Sequence, residues 1–352
     1  MNLIPLSPIL IVIISITAFL LTLLLTRWLI LYLPKKGYVV QDFHKIGKPT
    51  VPMPGGPAII AGLILSEGLL YFFIPDSRIL SLVAVTTVAG IIGIVDDLKT
   101  LNGVLKPTLL ILASLPILLL GTYDFNLSLP FFGTVRLSIL YPLMIMLAIP
   151  ITANTINSID VLNGVASSYI TIATIPVILA LFLIGNDLVA LMALTLFASS
   201  LAFYIFHRYP SRIFPGDSGT LALGGMYGAI VIIGEVEIVG VIALLPAILN
   251  SFFFLTSVKG FVEHRKIKIR PINILQNNTL SASKNLSAPM TLVRLILLKG
   301  PLHEKELGYI IIKNINFLSL KFIFVLNFET IKKNIMKKGI SIPICFPKNI
   351  NG

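Results

Sequence analysis

Residues 8–33, PILIVIISITAFLLTLLLTRWLILYL, decide the fold class. The hydrocarbon core of a bilayer needs about 20 consecutive apolar residues to be crossed as a helix, and here the only charge is Arg27, beside Trp28 near the inner end. The run is too long for the apolar part of a signal peptide and no small-residue cleavage site follows it, so it reads as a retained first span. Similar runs recur almost to residue 330. The 352 residues are 56% apolar and 12% charged, with mean hydropathy +0.96. Ordinary soluble domains are not built this way, and the core is expected to form within lipid. Cys345 is the sole cysteine, which excludes an internal disulfide framework and a multi-cysteine zinc site.

Cutting the chain at charge clusters and Pro/Gly signals gives ten spans, over 8–33, 55–74, 79–95, 107–121, 138–153, 166–185, 188–206, 219–234, 237–257 and 308–328. The expectation is an all-α polytopic protein of about ten transmembrane helices. Connections on one side, 34–54, 96–106, 154–165, 207–218 and 258–307, hold seventeen Lys and Arg; the opposite ones hold only Arg78 and Arg136. The positive-inside rule puts the basic side in the cytoplasm. Residues 1–328 read as one catalytic domain with a long cytoplasmic loop at 258–307, followed by a Lys-rich tail at 329–352. The net charge of +12 sits in short connections, where anionic headgroups and phosphorylated ligands are met. That placement argues against nucleic acid as a partner.

Polar residues that apolar spans should exclude gather on this same side. Asp96 and Asp97 end the third span and Lys106 starts the fourth. Asn154, Asn157, Asp160 and Asn163 follow one another every three residues, which keeps them on one slowly drifting helix face. The run Phe214-Pro215-Gly216-Asp217-Ser218-Gly219 opens the eighth span, and His264, Arg265, Lys266, Lys268 and Arg270 form a basic cluster in the longest loop. Oxygen ligands with basic side chains suit phosphoryl transfer on a nucleotide diphosphate, where a divalent ion bridges phosphate oxygens and cations neutralise developing charge. Asp217 with Asn157 is a sufficient protein share for Mg²⁺; Lys106, Arg265 and Arg270 are the candidate phosphate clamps. Gly216 and Gly219 would let a phosphate approach the backbone at a helix start.

Plainer readings exist for each residue. Asp96 and Asp97 could be a span end neutralised by Lys99, Asn154 and Asn157 could be interhelical hydrogen-bonding groups, and Asp217 could simply cap its helix. Lys266 and Lys268 suit lipid headgroups. Glu67 lies inside the second span, where an ionisable group signals function by default, without an evident partner. What favours chemistry is the gathering of all four segments on one face.

The ordered segments resemble the polyprenyl-phosphate N-acetylhexosamine-1-phosphate transferases. Lys48-Pro49-Thr50 with Pro54-Gly55-Gly56, then Asp96-Asp97, residues 154–164 and residues 214–219 stand in that family's order, and His264-Arg265, Arg270-Pro271 and 300–304 resemble its archaeal and eukaryotic dolichol branch. The resemblance implies a cytoplasm-facing cleft beside a groove for the lipid acceptor. It implies Asn157 and Asp217 as ligands of Mg²⁺ or Mn²⁺, Lys106 and Arg265 as pyrophosphate contacts, and Asp96 and Asp97 as the acidic pair needed for turnover. Lys48, Asn154, Asp160, Asn163, Gly216, His264 and Arg270 fall at substrate-binding positions. The implied reaction moves GlcNAc-1-phosphate from UDP-GlcNAc to dolichyl phosphate and releases UMP. It would run in the cell membrane of an archaeon or the endoplasmic reticulum of a eukaryote, in a monomer or a homodimer. Two alternatives are another UDP-N-acetylhexosamine donor and, from a different class, a nucleotide-sugar transporter. A transporter places its polar site near mid-membrane, whereas these residues line one surface.

Overall fold

A computed structural model of the chain describes residues 7–129, 133–260 and 269–313. Eight helices in it are long and apolar enough to cross a membrane. They are α1 (Pro8–Tyr32), α2 (Gly56–Phe73), α3 (Ser77–Leu98), α6 (Leu140–Ile159), α7 (Val165–Ile184), α8 (Asp187–His207), α9 (Gly216–Ile233) and α10 (Glu237–Val258). Ser7 caps α1, its Oγ accepting from the Leu10 N–H at 3.2 Å, with proline at the first helical position. Asp76 caps α3 in the same way, accepting from the Arg78 N–H at 2.8 Å.

The stretch expected as a fourth span is helical but broken. It forms α4 (Leu105–Leu110), a 3₁₀ turn (Ile111–Ser114) and α5 (Leu115–Leu119). Pro116 has no N–H to donate, so a continuous α-helix is interrupted there. The segment still runs the length of the bundle: at one end Lys106 pairs with Asp96, and at the other Thr122 shares a 2.8 Å hydrogen bond with Ser81 at the start of α3. Nine of the ten expected spans are thus helical among the described residues, eight of them long and the fourth broken; most of the tenth, and the tail from 329, lie outside the described residues.

Helix α9 is the axis. Every residue from Asp217 to Ile233 is buried, with α2, α3, α6, α7, α8 and α10 packed around it. Such enclosure needs small residues where backbones meet. A Cβ on Gly56 of α2 would overlap the backbone of Ser218 and Gly219, and one on Gly93 of α3 would overlap Asp217 and Ser218. Both glycines thus bring neighbouring helices onto the first turn of α9. Helix α1 is peripheral, and Ile9, Val12, Ile16, Leu24 and Leu31 stay exposed on its outer face, as a lipid-facing helix requires. Glu67, buried in α2, does have a partner: Thr195 of α8.

Three small sheets lie in the connections between spans. Strands β1 (Val39–Gln41) and β2 (Thr50–Pro52) form a hairpin, as do β3 (Asn126–Leu129) and β4 (Gly133–Arg136). Beyond α10, β5 (Ile272–Ile274), β6 (Thr279–Ala282) and β7 (Leu302–His303) make one antiparallel sheet, with α11 (Leu292–Leu297) between β6 and β7 and a helix over 304–313 after it.

Candidate active site

The polar residues converge where α9 begins. Its Ncap position is Pro215, whose side chain cannot cap, so the first amides need acceptors from elsewhere. Asp97 supplies them from the end of α3. The Asp217 N–H donates to its Oδ1 at 2.8 Å and the Ser218 N–H to its Oδ2 at 3.0 Å. Gly216, at φ +70°, makes the approach feasible, because a Cβ there would lie 2.7 Å from Asp97 Oδ2. Asp97 thus takes the Asp217 and Ser218 amides at this helix start, while Gly219 packs against Gly56.

Asp96 is fully buried. Its Oδ1 accepts from the Leu101 N–H at 2.5 Å, and its Oδ2 lies 2.5 Å from the Lys106 ammonium. Lys106 also donates to Asp217 Oδ1 at 2.9 Å, so one cation stands between two carboxylates. Asn157 Nδ2 reaches the same Oδ1 at 2.6 Å, while Thr220 Oγ1 donates to Asn157 Oδ1 at 3.1 Å. Among the described residues, acidic charge exceeds basic charge here, with Asp96, Asp97 and Asp217 against Lys106. A surplus of hard oxygen donors with no sulfur or imidazole among them fits Mg²⁺ or Mn²⁺.

One turn beyond Asn157, Asp160 faces a cleft of about 860 Å³ lined also by Phe43, His44, Asn250, Phe254 and Arg270, a size typical of ligand sites. Burial, and then the charges of Asp217 and Asp97, push the Asp160 carboxyl up to about 8. Its Oδ1 lies 3.7 Å from His207 Nε2, and Ser167 holds the other ring nitrogen at 2.9 Å. Arg270 stacks over the Phe43 ring at 4.5 Å and Lys48, exposed, lies 5.8 Å from the same ring. His44 stays neutral, since burial pushes its imidazole down to about 4.

Asn163 sits in a buried knot. It accepts from Lys45 Nζ at 2.8 Å and from the Ser211 N–H at 2.7 Å, donates to Asp42 at 3.2 Å, and its own N–H bonds Glu304 at 2.9 Å. Asp42, His44 and Glu304 have a metal-ligand spacing, but Lys45 pairs with Asp42 and lies 3.9 Å from Glu304. An ammonium is thus the cation of this cluster. The structure brings Asp96, Asp97, Lys106, Asn157, Asp217 and Gly216 into one centre and sets Asp160 and Arg270 along the adjoining cleft. Asn154 instead bonds back to the Pro150 carbonyl at 2.8 Å; His264 and Arg265 lie outside the described residues. Sequence reasoning missed Thr220, Asp42, Lys45 and Phe43. For Thr220 a signal existed, one helical turn from Asp217 at the buried start of α9; the others lie in a loop with no periodicity.

Comparison with known proteins places this centre. A family model described as glycosyl transferase family 4 matches residues 79–235, which contain Asp96, Asp97, Lys106, Asn157 and Asp217. The chain is 31% identical over 249 residues to a protein of Saccharolobus solfataricus that carries the provisional name UDP-N-acetylglucosamine–dolichyl-phosphate N-acetylglucosaminephosphotransferase, covering 69% of this chain and 77% of that one. The chain belongs to glycosyl transferase family 4. Other relatives in the family are a provisionally named glycosyltransferase of Methanocaldococcus jannaschii, 30% identical over 78% of this chain and 82% of its own, and a phospho-N-acetylmuramoyl-pentapeptide-transferase of Acetivibrio thermocellus, 29% identical over 68% and 78%. The family, the branch and the membrane-embedded α-helical architecture agree with the reading of the sequence.

Proposed function

We propose that the chain transfers GlcNAc-1-phosphate from UDP-GlcNAc to dolichyl phosphate and releases UMP, from a site that faces the cytoplasm. The observation that carries this is the Asp96–Lys106–Asp217–Asn157 centre beside the cleft at one end of the bundle. The names of the Saccharolobus and Methanocaldococcus relatives support the reaction class. The basic connections support the orientation, since Arg78 and Arg136 belong to the opposite end.

An oxygen of the lipid phosphate attacks the β-phosphorus of the donor, the bond from that phosphorus to the α–β bridging oxygen breaks, and UMP leaves with the bridging oxygen. A phosphate monoester is largely dianionic at neutral pH, so the attacking oxygen needs no strong base. Asp217 and Asn157 would hold Mg²⁺, which when bound offsets the negative charge of the diphosphate. Lys106, fixed by Asp96, offers an ammonium to phosphate oxygens at the same place. Asp160, Phe43 and Arg270 line space of the right size for the rest of the donor, and His264 and Arg265 shortly precede Arg270 in the sequence.

Radiolabelled UDP-GlcNAc incubated with purified protein, dolichyl phosphate and Mg²⁺ should give a labelled lipid. Asp217→Ala should lose metal-dependent turnover while remaining folded in detergent. Lipid product only with a different UDP-N-acetylhexosamine would move the assignment to another branch of the family; transport of UDP-sugar without any lipid product would sink it.

A further inference from the structure

We infer that Asp97 is a positioning residue: its carboxylate caps the first turn of α9 from outside that helix and so sets the orientation of Asp217, without itself acting as base or nucleophile. The inference rests on the phosphotransferase reading for its catalytic consequence, but its structural part stands on the geometry alone. A helix start leaves amide donors that intrahelical bonds do not satisfy. Water is a poor substitute here, because Asp217 is 9% exposed and Ser218 is fully buried. Pro215 offers no capping side chain, and the acceptors are the two oxygens of Asp97, one to each amide.

The chain entering α9 is held from the other side as well. The Gly55 and Gly56 amides donate to the Phe214 and Pro215 carbonyls, each at 2.8 Å, so the turn that carries Asp217 is gripped between the start of α2 and the end of α3. The two neighbouring carboxylates thus work on different objects. Asp96 holds the Lys106 ammonium, whereas Asp97 holds the backbone of the residue that Lys106 and Asn157 both address through its side chain. For Asp97 to attack phosphorus, one of its two oxygens would have to turn from the amide it holds, which weakens a buried hydrogen bond and is unfavourable. A carboxylate that rotates away from this cap also frees Asp217 to tilt.

The test compares full-length wild type, Asp97→Asn and Asp97→Ala in detergent, with Mn²⁺ as the probe ion read by electron paramagnetic resonance and with lipid product measured across pH. Asparagine keeps one acceptor oxygen but turns an N–H₂ toward the second amide. It should raise the Kd for Mn²⁺ and lower kcat by roughly twofold to thirtyfold each, the range expected for one helix-cap hydrogen bond, with the shape of the pH–rate profile unchanged. Alanine should lose more on both readouts. The near-isosteric asparagine variant carries the test where the alanine variant does not fold. Wild-type Mn²⁺ affinity in Asp97→Asn overturns the inference, whether its rate is intact or abolished, and so does loss of a limb of the pH profile. If wild type forms no lipid product, the reaction assignment fails on its own, and the Mn²⁺ measurement still reports whether Asp97 governs Asp217.

Discussion

Asp217 and Glu67 are both carboxylic acids inside apolar helices and both are nearly buried, yet their surroundings differ in kind. Asp217 lies in the first turn of α9 and meets the Lys106 ammonium and the Asn157 amide, with Asp97 gripping its backbone. Glu67 lies in mid-helix and meets one hydroxyl, that of Thr195, which also bonds the Met192 carbonyl at 2.7 Å. A hydroxyl has one hydrogen for two acceptors, and among the described residues no cation pairs with Glu67. Burial of an acid is therefore not the mark of function; the mark is the charge and number of the groups that meet it.

The strongest attempt to break this contrast is Lys106→Ala. Removing one partner of a buried ion pair costs about 3–5 kcal/mol, and here it leaves two carboxylates facing each other. The expected result is loss of turnover by about a hundredfold to a thousandfold with a lowered melting temperature; near-normal turnover would show that the centre is structural. At Glu67 the outcome should split by isostere. Glu67→Ala should destabilise the bundle by about 1–3 kcal/mol, the cost of a buried polar group left unsatisfied, while Glu67→Gln should melt near wild type and keep its activity. An inactive but stable Glu67→Gln would place chemistry in mid-membrane and erase the contrast.

Much of this arrangement was legible in the sequence. Apolar runs locate the spans because a bilayer imposes one length on every crossing, and Asp96, Asn157 and Asp217 stand out because acids and amides at span ends need a reason. The break at Pro116 was less legible, since its apolar flanks read as continuous. The partner of Asp97 was not legible, because the amides it caps lie 120 and 121 residues away and backbone donors carry no residue-type signature. Lys45 was hidden by separation along the chain: only folding brings Asn163 and Glu304 to the local Asp42–Lys45 pair.

A subtler effect sharpens the comparison at Asp160. Its folded-state carboxyl is pushed up to about 8, above the ordinary aspartate value near 4, so the fold binds a proton that the unfolded chain has released. Stability contributed by this group is highest at low pH and declines as pH rises from about 4 through 8. Asp160→Asn should remove that decline, gaining on wild type above pH 8 and matching it below pH 4 in thermal melts. The smallest effect is expected at Arg78, whose 2.8 Å pair with Asp76 is part-exposed at the far end of the bundle. Arg78→Ala should shift stability by less than about 1 kcal/mol and leave product formation unchanged, which sets the baseline for changes remote from the site.

Gly56 and Gly93 have no functional group, yet they fix how closely two helices lean on the start of a third. One methyl at either place would act as a wedge under the turn that bears Asp217, shifting a carboxylate whose bonding distances tolerate only tenths of an ångström. The accuracy of the centre is thus stored in atoms the chain leaves out, and an alanine at 56 or 93 would injure it without touching a single reacting group.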